Sequence, residues 1–252
     1  MFSKINPFIA SIAISLILTA NLNAADTKDK TDNKGKKEIT FDIKPEEMLA
    51  KLRTTAINDI KPEELEWSRK LYPNRYRPLS MDFEDKDVQK YLQSIPQELQ
   101  AGEKTRIEKI KDVKPLIVRI IERNPYEPKS GGIKIRSGTS VTSVPGMISL
   151  ANEAILIVKK GKNVKNSKRY KWEELAFEQY ENFLTYYAGQ RLLKAGGNVS
   201  KDESRKYAGE DYFRLAILCD WFGEYEKCMA NLKKAIDLNP DLKNSAGPIL
   251  FD

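Results

Sequence analysis

Residues 209–242 read GEDYFRLAILCDWFGEYEKCMANLKKAIDLNPDL, and their spacing governs the reading of the whole chain. Two helical patterns meet at Gly223, and the second closes at Asn239-Pro240, because proline cannot continue a helix. Tyr212, Leu215, Ala216 and Cys219 recur at helical spacing in the first pattern, and Tyr225, Cys228, Leu232 and Ala235 in the second. The small side chains of Ala216 and Cys228 predict a close approach of the two helices, with Leu232 and Ala235 packed beneath. A second stripe of Phe213, Ile217 and Trp221 runs beside the first. A helix apolar on nearly all sides is normally buried.

The segment before it supports this unit. Residues 173–194 predict one long helix whose face carries Ala176, Tyr180, Phe183, Tyr187 and Gln190-Arg191, an aromatic stripe of the kind that fills a core. Gly196-Gly197-Asn198 is the expected stop. Ser200 and Glu203 have the spacing of a capping box, in which each side chain satisfies a backbone donor at the helix start.

The order of large and small residues over 209–242 resembles a tetratricopeptide (TPR) repeat. Tyr212, Leu215, Ala216 and Cys219 stand at the family's first-helix positions, and Tyr225, Cys228, Leu232, Ala235 and Pro240 continue the pattern. Cys219 replaces the usual tyrosine, Ala216 replaces a glycine, and residues 175–208 do not repeat the pattern in register. The resemblance therefore covers one repeat of about 34 residues, and a lone repeat needs neighbours to cover its faces. It implies a binding role, with the partner-facing side on the first helix: Glu210, Phe213, Ile217, Asp220 and Trp221. That face is either an open groove or covered by the 173–194 helix or by the β unit described below. Cys219 and Cys228 fall on facing helices. They are read as small buried core residues, with a disulfide as the alternative.

Elsewhere the chain divides by composition. Residues 1–24 have a short positive start, an apolar run and small residues ahead of Ala24-Ala25, the shape of a cleaved secretory signal peptide. Residues 25–44 form a disordered linker and lead-in, since the lysine-rich 26–38 cannot bury enough surface to offset its ordering entropy. Residues 45–131 are read as helical. Pro45 and Pro62 open helices, each followed by glutamates. A proline-rich extended segment spans 71–83, and helices follow over 85–95, 97–111 and 115–123, separated by Pro96 and Pro115. Within the last two, Ile107, Ile110, Val113, Leu116-Ile117 and Ile120-Ile121 make a buried stripe.

From Gly132 the period falls to two. Ile133 and Ile135 alternate with Lys134 and Arg136, residues 147–150 and 154–158 suggest a hairpin, and 169–172 adds a third strand. This small antiparallel β unit, 132–172, is similar in size to SH3-like barrels. Its far loop carries Lys159, Lys160, Lys162, Lys165, Lys168, Arg169 and Lys171 with no intervening acid. It is either a patch for an anionic partner or a solvated hairpin tip. Ser137, Ser140 and Ser143 show no GxSxG or phosphate-loop spacing. A Ser-Lys pair would need a placed base that the sequence does not fix, so a turn or strand edge is expected there.

The chain has 252 residues, net charge +7, two cysteines and no histidine. The lack of histidine excludes Ser-His-Asp and Cys-His catalysis and histidine metal ligation. The expected class is α+β, mainly α: a helical N-terminal region, a small antiparallel β meander, and a C-terminal TPR-like hairpin (173–252) with a preceding long helix. The expected function is that of an exported, non-enzymatic scaffold or accessory protein contacting another envelope protein. No cofactor, no metal site, no nucleic acid and no integral membrane span after signal cleavage are expected. The alternatives are attachment to an anionic surface through 159–171, or a wall-polymer hydrolase using carboxylates such as Glu173-Glu174 or Asp82 with Glu84 or Asp85.

Overall fold

Prolines set the helix starts in the N-terminal half. The computed structural model describes residues 40–71, 81, 83–128, 130–160, 167–193 and 200–246. The signal peptide, most of the linker, residues 72–80, Asp82, Lys162, Lys165 and the 196–198 stop lie outside them. Helices α1 (Pro45–Thr54) and α2 (Pro62–Ser68) each begin on proline with glutamates in the first turn, where a missing N–H costs nothing and the helix dipole favours an acid. The Glu64 carboxylate accepts from the Lys61 N–H at the start of α2 and from Lys51 Nζ of α1, joining the two helices.

Helices α3 (Asp85–Ser94), α4 (Gln97–Lys111) and α5 (Val113–Arg123) follow. Pro96 separates α3 from α4 as expected. Pro115 instead sits inside the first turn of α5, a tolerated site because first-turn N–H groups have no partner within the helix. The core stripe is largely as read: Ile107, Ile110, Val113, Ile117 and Ile121 are buried. Leu116 and Ile120 differ, being half-buried at its margin.

The β unit comprises a two-stranded hairpin and a three-stranded antiparallel meander. Strands β1 (Ile133–Ser137) and β2 (Ser140–Val144) pair antiparallel across the Gly138-Thr139 turn. Strands β3 (Met147–Ala151), β4 (Ile155–Lys159) and β5 (Ser167–Lys171) form a second antiparallel sheet in that order. The Asn152 side chain shapes the β3–β4 turn by accepting from the N–H groups of Ala154 and Ile155. No closed barrel is present among the described residues. The β1–β2 pair is anchored instead to the next helix, where buried Gln179 accepts from the Lys134 N–H at 2.8 Å.

That helix is α6 (Phe177–Leu193), which starts later than predicted. Residues Trp172–Glu174 form a 3-10 turn, and Leu175 stays extended to bridge Ile135. Helix α7 (Lys201–Phe222) is capped by the Ser200 hydroxyl, which accepts from the Glu203 N–H. The reciprocal half of the capping box is replaced, because the Glu203 carboxylate accepts from the Tyr207 hydroxyl instead. Gly223 ends α7 at φ 81°, a left-handed conformation that glycine adopts without a Cβ penalty. Helix α8 (Tyr225–Leu238) returns antiparallel and stops before Pro240.

The molecule is built around α7. Every residue from Leu215 to Trp221 is buried, with α6 and α8 packed on two sides and α4 on a third. α2 packs against α8, α5 against β3, and α6 against β1, so helices and sheets share one core. The chain is α+β and mainly α. α7 and the end of α8 approach closely at Gly209, where a Cβ would lie 2.9 Å from the Ala235 carbonyl oxygen and 2.7 Å from the Asn239 Cβ. Gly189, inside α6, has open space at the same position. Gly209→Ala should therefore lower unfolding free energy by about 1–3 kcal/mol through overpacking, while Gly189→Ala should raise it by up to about 1 kcal/mol through helix propensity. Urea unfolding of both variants measures the two shifts.

Candidate functional site

The five residues expected to face a partner do not form an open groove. Phe213, Ile217, Asp220 and Trp221 are all buried, and Glu210 alone of the set is half-exposed, paired with Arg214 at 3.5 Å. α6 packs along α7, and at Asp220 and Trp221 the cover has a different source. It is the chain's own N-terminal region, brought onto the free side of α7 by charge and aromatic contacts that local sequence spacing does not reveal.

A buried ionic cluster makes that contact. The 3-10 turn Arg69–Leu71 after α2 supplies Arg69, whose Nε donates to Asp220 Oδ1 at 2.9 Å. α4 supplies Arg106, whose Nη1 stands 3.6 Å from Asp220 Oδ2 and whose Nε donates to Glu103 Oε1 at 3.2 Å. Tyr91 of α3 donates to Glu103 Oε2 at 3.1 Å. The four charged side chains are between 0% and 2% exposed. Among the described residues, two cations here meet two anions. The Arg106 guanidinium lies 4.6 Å from the Trp221 ring centroid, and Phe83 meets the same ring edge-on at 5.4 Å. The Nη groups of Arg69 are buried without a hydrogen-bond partner among the described residues. Desolvating such a pair is costly, so the cluster contributes to the choice of docking geometry more than to raw stability.

The expected basic loop is partly strand. Lys168, Arg169 and Lys171 lie on β5 and Lys159 on β4. Lys168 shares a face with buried Tyr170, while Arg169 and Lys171 point to the opposite face beside Ile157 and Ile155, as period-two alternation requires. Lys171 also pairs with Glu173 at 3.2 Å. Among the described cations of this segment, Lys159, Arg169 and Lys171 share one face of the sheet and Lys168 lies on the other.

The carboxylates considered for hydrolysis are engaged elsewhere. Glu174 accepts from the Lys171 N–H at 2.6 Å, and Glu84 pairs with Lys86 at 2.7 Å. Asp85 accepts from Lys111 Nζ at 2.7 Å, and that bond holds its carboxyl below the ordinary range. Lys134 and Ser143 do meet, at 2.8 Å, as an exposed cross-strand pair on β1 and β2. There the amine donates to the hydroxyl, the reverse of the proton transfer that activates a serine. Among the described residues no group of three or more Cys, Asp or Glu side chains could hold a metal ion, and no helix is long and apolar enough to cross a membrane.

Cys219 and Cys228 are buried thiols rather than a disulfide. Burial pushes the Cys219 thiol from 9.0 up to about 12, with the Glu181 carboxylate adding to the shift.

A feature that sequence reasoning missed lies between α5 and α6. Arg119 and Arg123 of α5 and Arg191 of α6 border a recess of 420 Å³, floored by half-buried Leu116 and Ile120 and by Tyr187. Burial pushes the Tyr187 phenol up, and its hydroxyl donates to the Asn124 carbonyl. Arg191 Nε donates to buried Asp211 at 2.6 Å. Burial raises the Asp211 carboxyl, against the lowering effect of Arg191. The available signal was Leu116, Arg119, Ile120 and Arg123, which follow i, i+3, i+4, i+7 spacing and set two arginines along the edge of the apolar stripe.

Comparison with protein-family models, curated proteins and solved structures yields no match.

Two measurements check this geometry. Asp220→Ala removes the carboxylate that Arg69 and Arg106 share, and should cost about 3–5 kcal/mol in urea unfolding. Arg69→Met should cost less, because Arg106 still neutralises Asp220. For Cys219, both folded and unfolded states hold the thiol proton below about pH 9. Between that and about pH 12 the unfolded state releases it first, so stability falls as pH rises. Cys219→Ala should flatten that fall relative to the parent chain over the same alkaline range.

Proposed function

We propose that this chain is an exported, non-enzymatic accessory subunit of TPR type, which scaffolds an assembly by contact with another envelope protein. The observation that carries this reading is the occupation of the α7 face, the side that such a repeat offers to ligands, by the chain's own α4 and the turn after α2 through Arg69, Arg106 and Asp220. The hairpin α7–α8 binds helices in cis as a repeat of this type binds a partner in trans. Its anchor is desolvated, so separating the pieces would expose unpaired buried charge, a large penalty. The unit therefore serves as a fixed scaffold, and partner contact falls to the outer helical faces.

Export is supported by the signal-peptide shape of residues 1–24. The mature chain recovered from the exported fraction should begin after Ala24 or Ala25, as intact mass will report. Photocrosslinking residues placed at exposed Glu66 on α2, Thr185 on α6 and Ala230 on α8 should then give an adduct of one discrete mass from at least one face in the native cell. Recovery of a full-length, unprocessed chain at its own mass from all three positions would overturn the reading.

A further inference from the structure

The recess between α5 and α6 has the attributes of a ligand site. Its 420 Å³ falls within the size range of small-molecule pockets, about 300–1,000 Å³. Three guanidinium groups border it, and no carboxylate is among its lining residues. Arg119 and Arg123 are both exposed, stand one helical turn apart, and make no hydrogen bond or ion pair with the described residues. Arg191 is held differently. Its Nε is fixed by Asp211, a carboxylate 1% exposed, while the Nη groups remain for a second partner. One cation is thus preorganised from behind, and two more lie across the recess on another helix.

The ordinary explanation is that Arg123, in the last turn of α5, complements the helix dipole. That leaves Arg119 unexplained, as well as the half-buried Leu116 and Ile120 between the arginines. Apolar side chains at the base of a cationic recess suit a ligand with an anionic head and an apolar body. Arginine forks match phosphate and carboxylate oxygens. Three of them, with one partly neutralised by Asp211, favour a group carrying close to two negative charges, as a phosphomonoester does at neutral pH.

We propose that this recess binds an organic phosphomonoester, with the phosphate held among Arg119, Arg123 and Arg191 and the organic body lying on Leu116, Ile120 and Tyr187. The ligand is either a soluble molecule or the headgroup region of a phosphomonoester lipid, which present the same chemistry. This inference does not rest on the scaffold reading. It concerns the recess between α5 and α6, which meets α7 through Asp211, and requires no protein partner.

Phenyl phosphate titrated into the full chain by calorimetry tests it. The expected result is saturable one-site binding, weaker at higher salt and tighter than inorganic phosphate because the ring covers the apolar floor. Arg119→Gln with Arg123→Gln should reduce affinity at least tenfold without altering the thermal midpoint, since both side chains are exposed. Lys168→Gln, on the distant β5 strand, should leave it unchanged. Sedimentation with phosphatidic acid vesicles, lost in the double variant, identifies the lipid as the source, whereas phenyl phosphate binding without sedimentation identifies a soluble ligand. Absence of saturable phenyl phosphate binding overturns the proposal, and so does equal loss in Lys168→Gln and the double variant.

Discussion

The contact of Asp220 with Arg69 and Arg106 is the constraint on which the rest of the structure depends. α7 is buried from Leu215 to Trp221, yet its sequence neighbours α6 and α8 cover only part of its circumference. The remaining side holds Trp221 and the buried Asp220 carboxyl group, and burying such a polar group is costly unless it is paired. Two arginines, from the turn after α2 and from α4, meet the carboxylate, and one of them also lies over the tryptophan ring. Once that contact forms, the positions of α2, α4 and Phe83 follow, and α5 is carried with α4 onto β3.

The same constraint closes one side of the α7–α8 hairpin. There α7 holds Arg106 and Arg69, 114 and 151 positions before Asp220 in the same sequence, a separation that costs loop-closure entropy growing slowly with length. The face is an internal joint. The recess bordered by Arg119, Arg123 and Arg191 lies between α5 and α6, apart from that joint.

How much of this could be read beforehand differed by element for physical reasons. Pro45, Pro62, Pro96, Gly223 and Pro240 act through local backbone geometry, so the helix limits they set were legible. Strands β1, β3, β4 and β5 were signalled by alternation or branched apolar runs. β2, Ser140–Val144, was read only as a turn or strand edge because its side chains are almost all exposed, which leaves no alternation to detect. The all-round apolar character of α7 correctly signalled burial, but nothing local named its cover, since Arg69 and Asp220 are 151 residues apart. Gly209 was missed as a tight point of the hairpin because its role depends on Ala235 and Asn239 across the gap. The recess was hidden for the same reason: Arg119 and Arg191 become neighbours only after α5 and α6 have docked.

Native-state hydrogen exchange of α4, α7 and the Arg69–Leu71 turn tests the central claim most directly. If the ionic cluster joins the N-terminal helices to the hairpin as one cooperative unit, their slowest amides will open with the same free energy and the same denaturant dependence. Exchange of α4 and the Arg69–Leu71 turn at a distinctly lower free energy, with α7 still protected, would show that the cover detaches from an intact hairpin and would contradict the account.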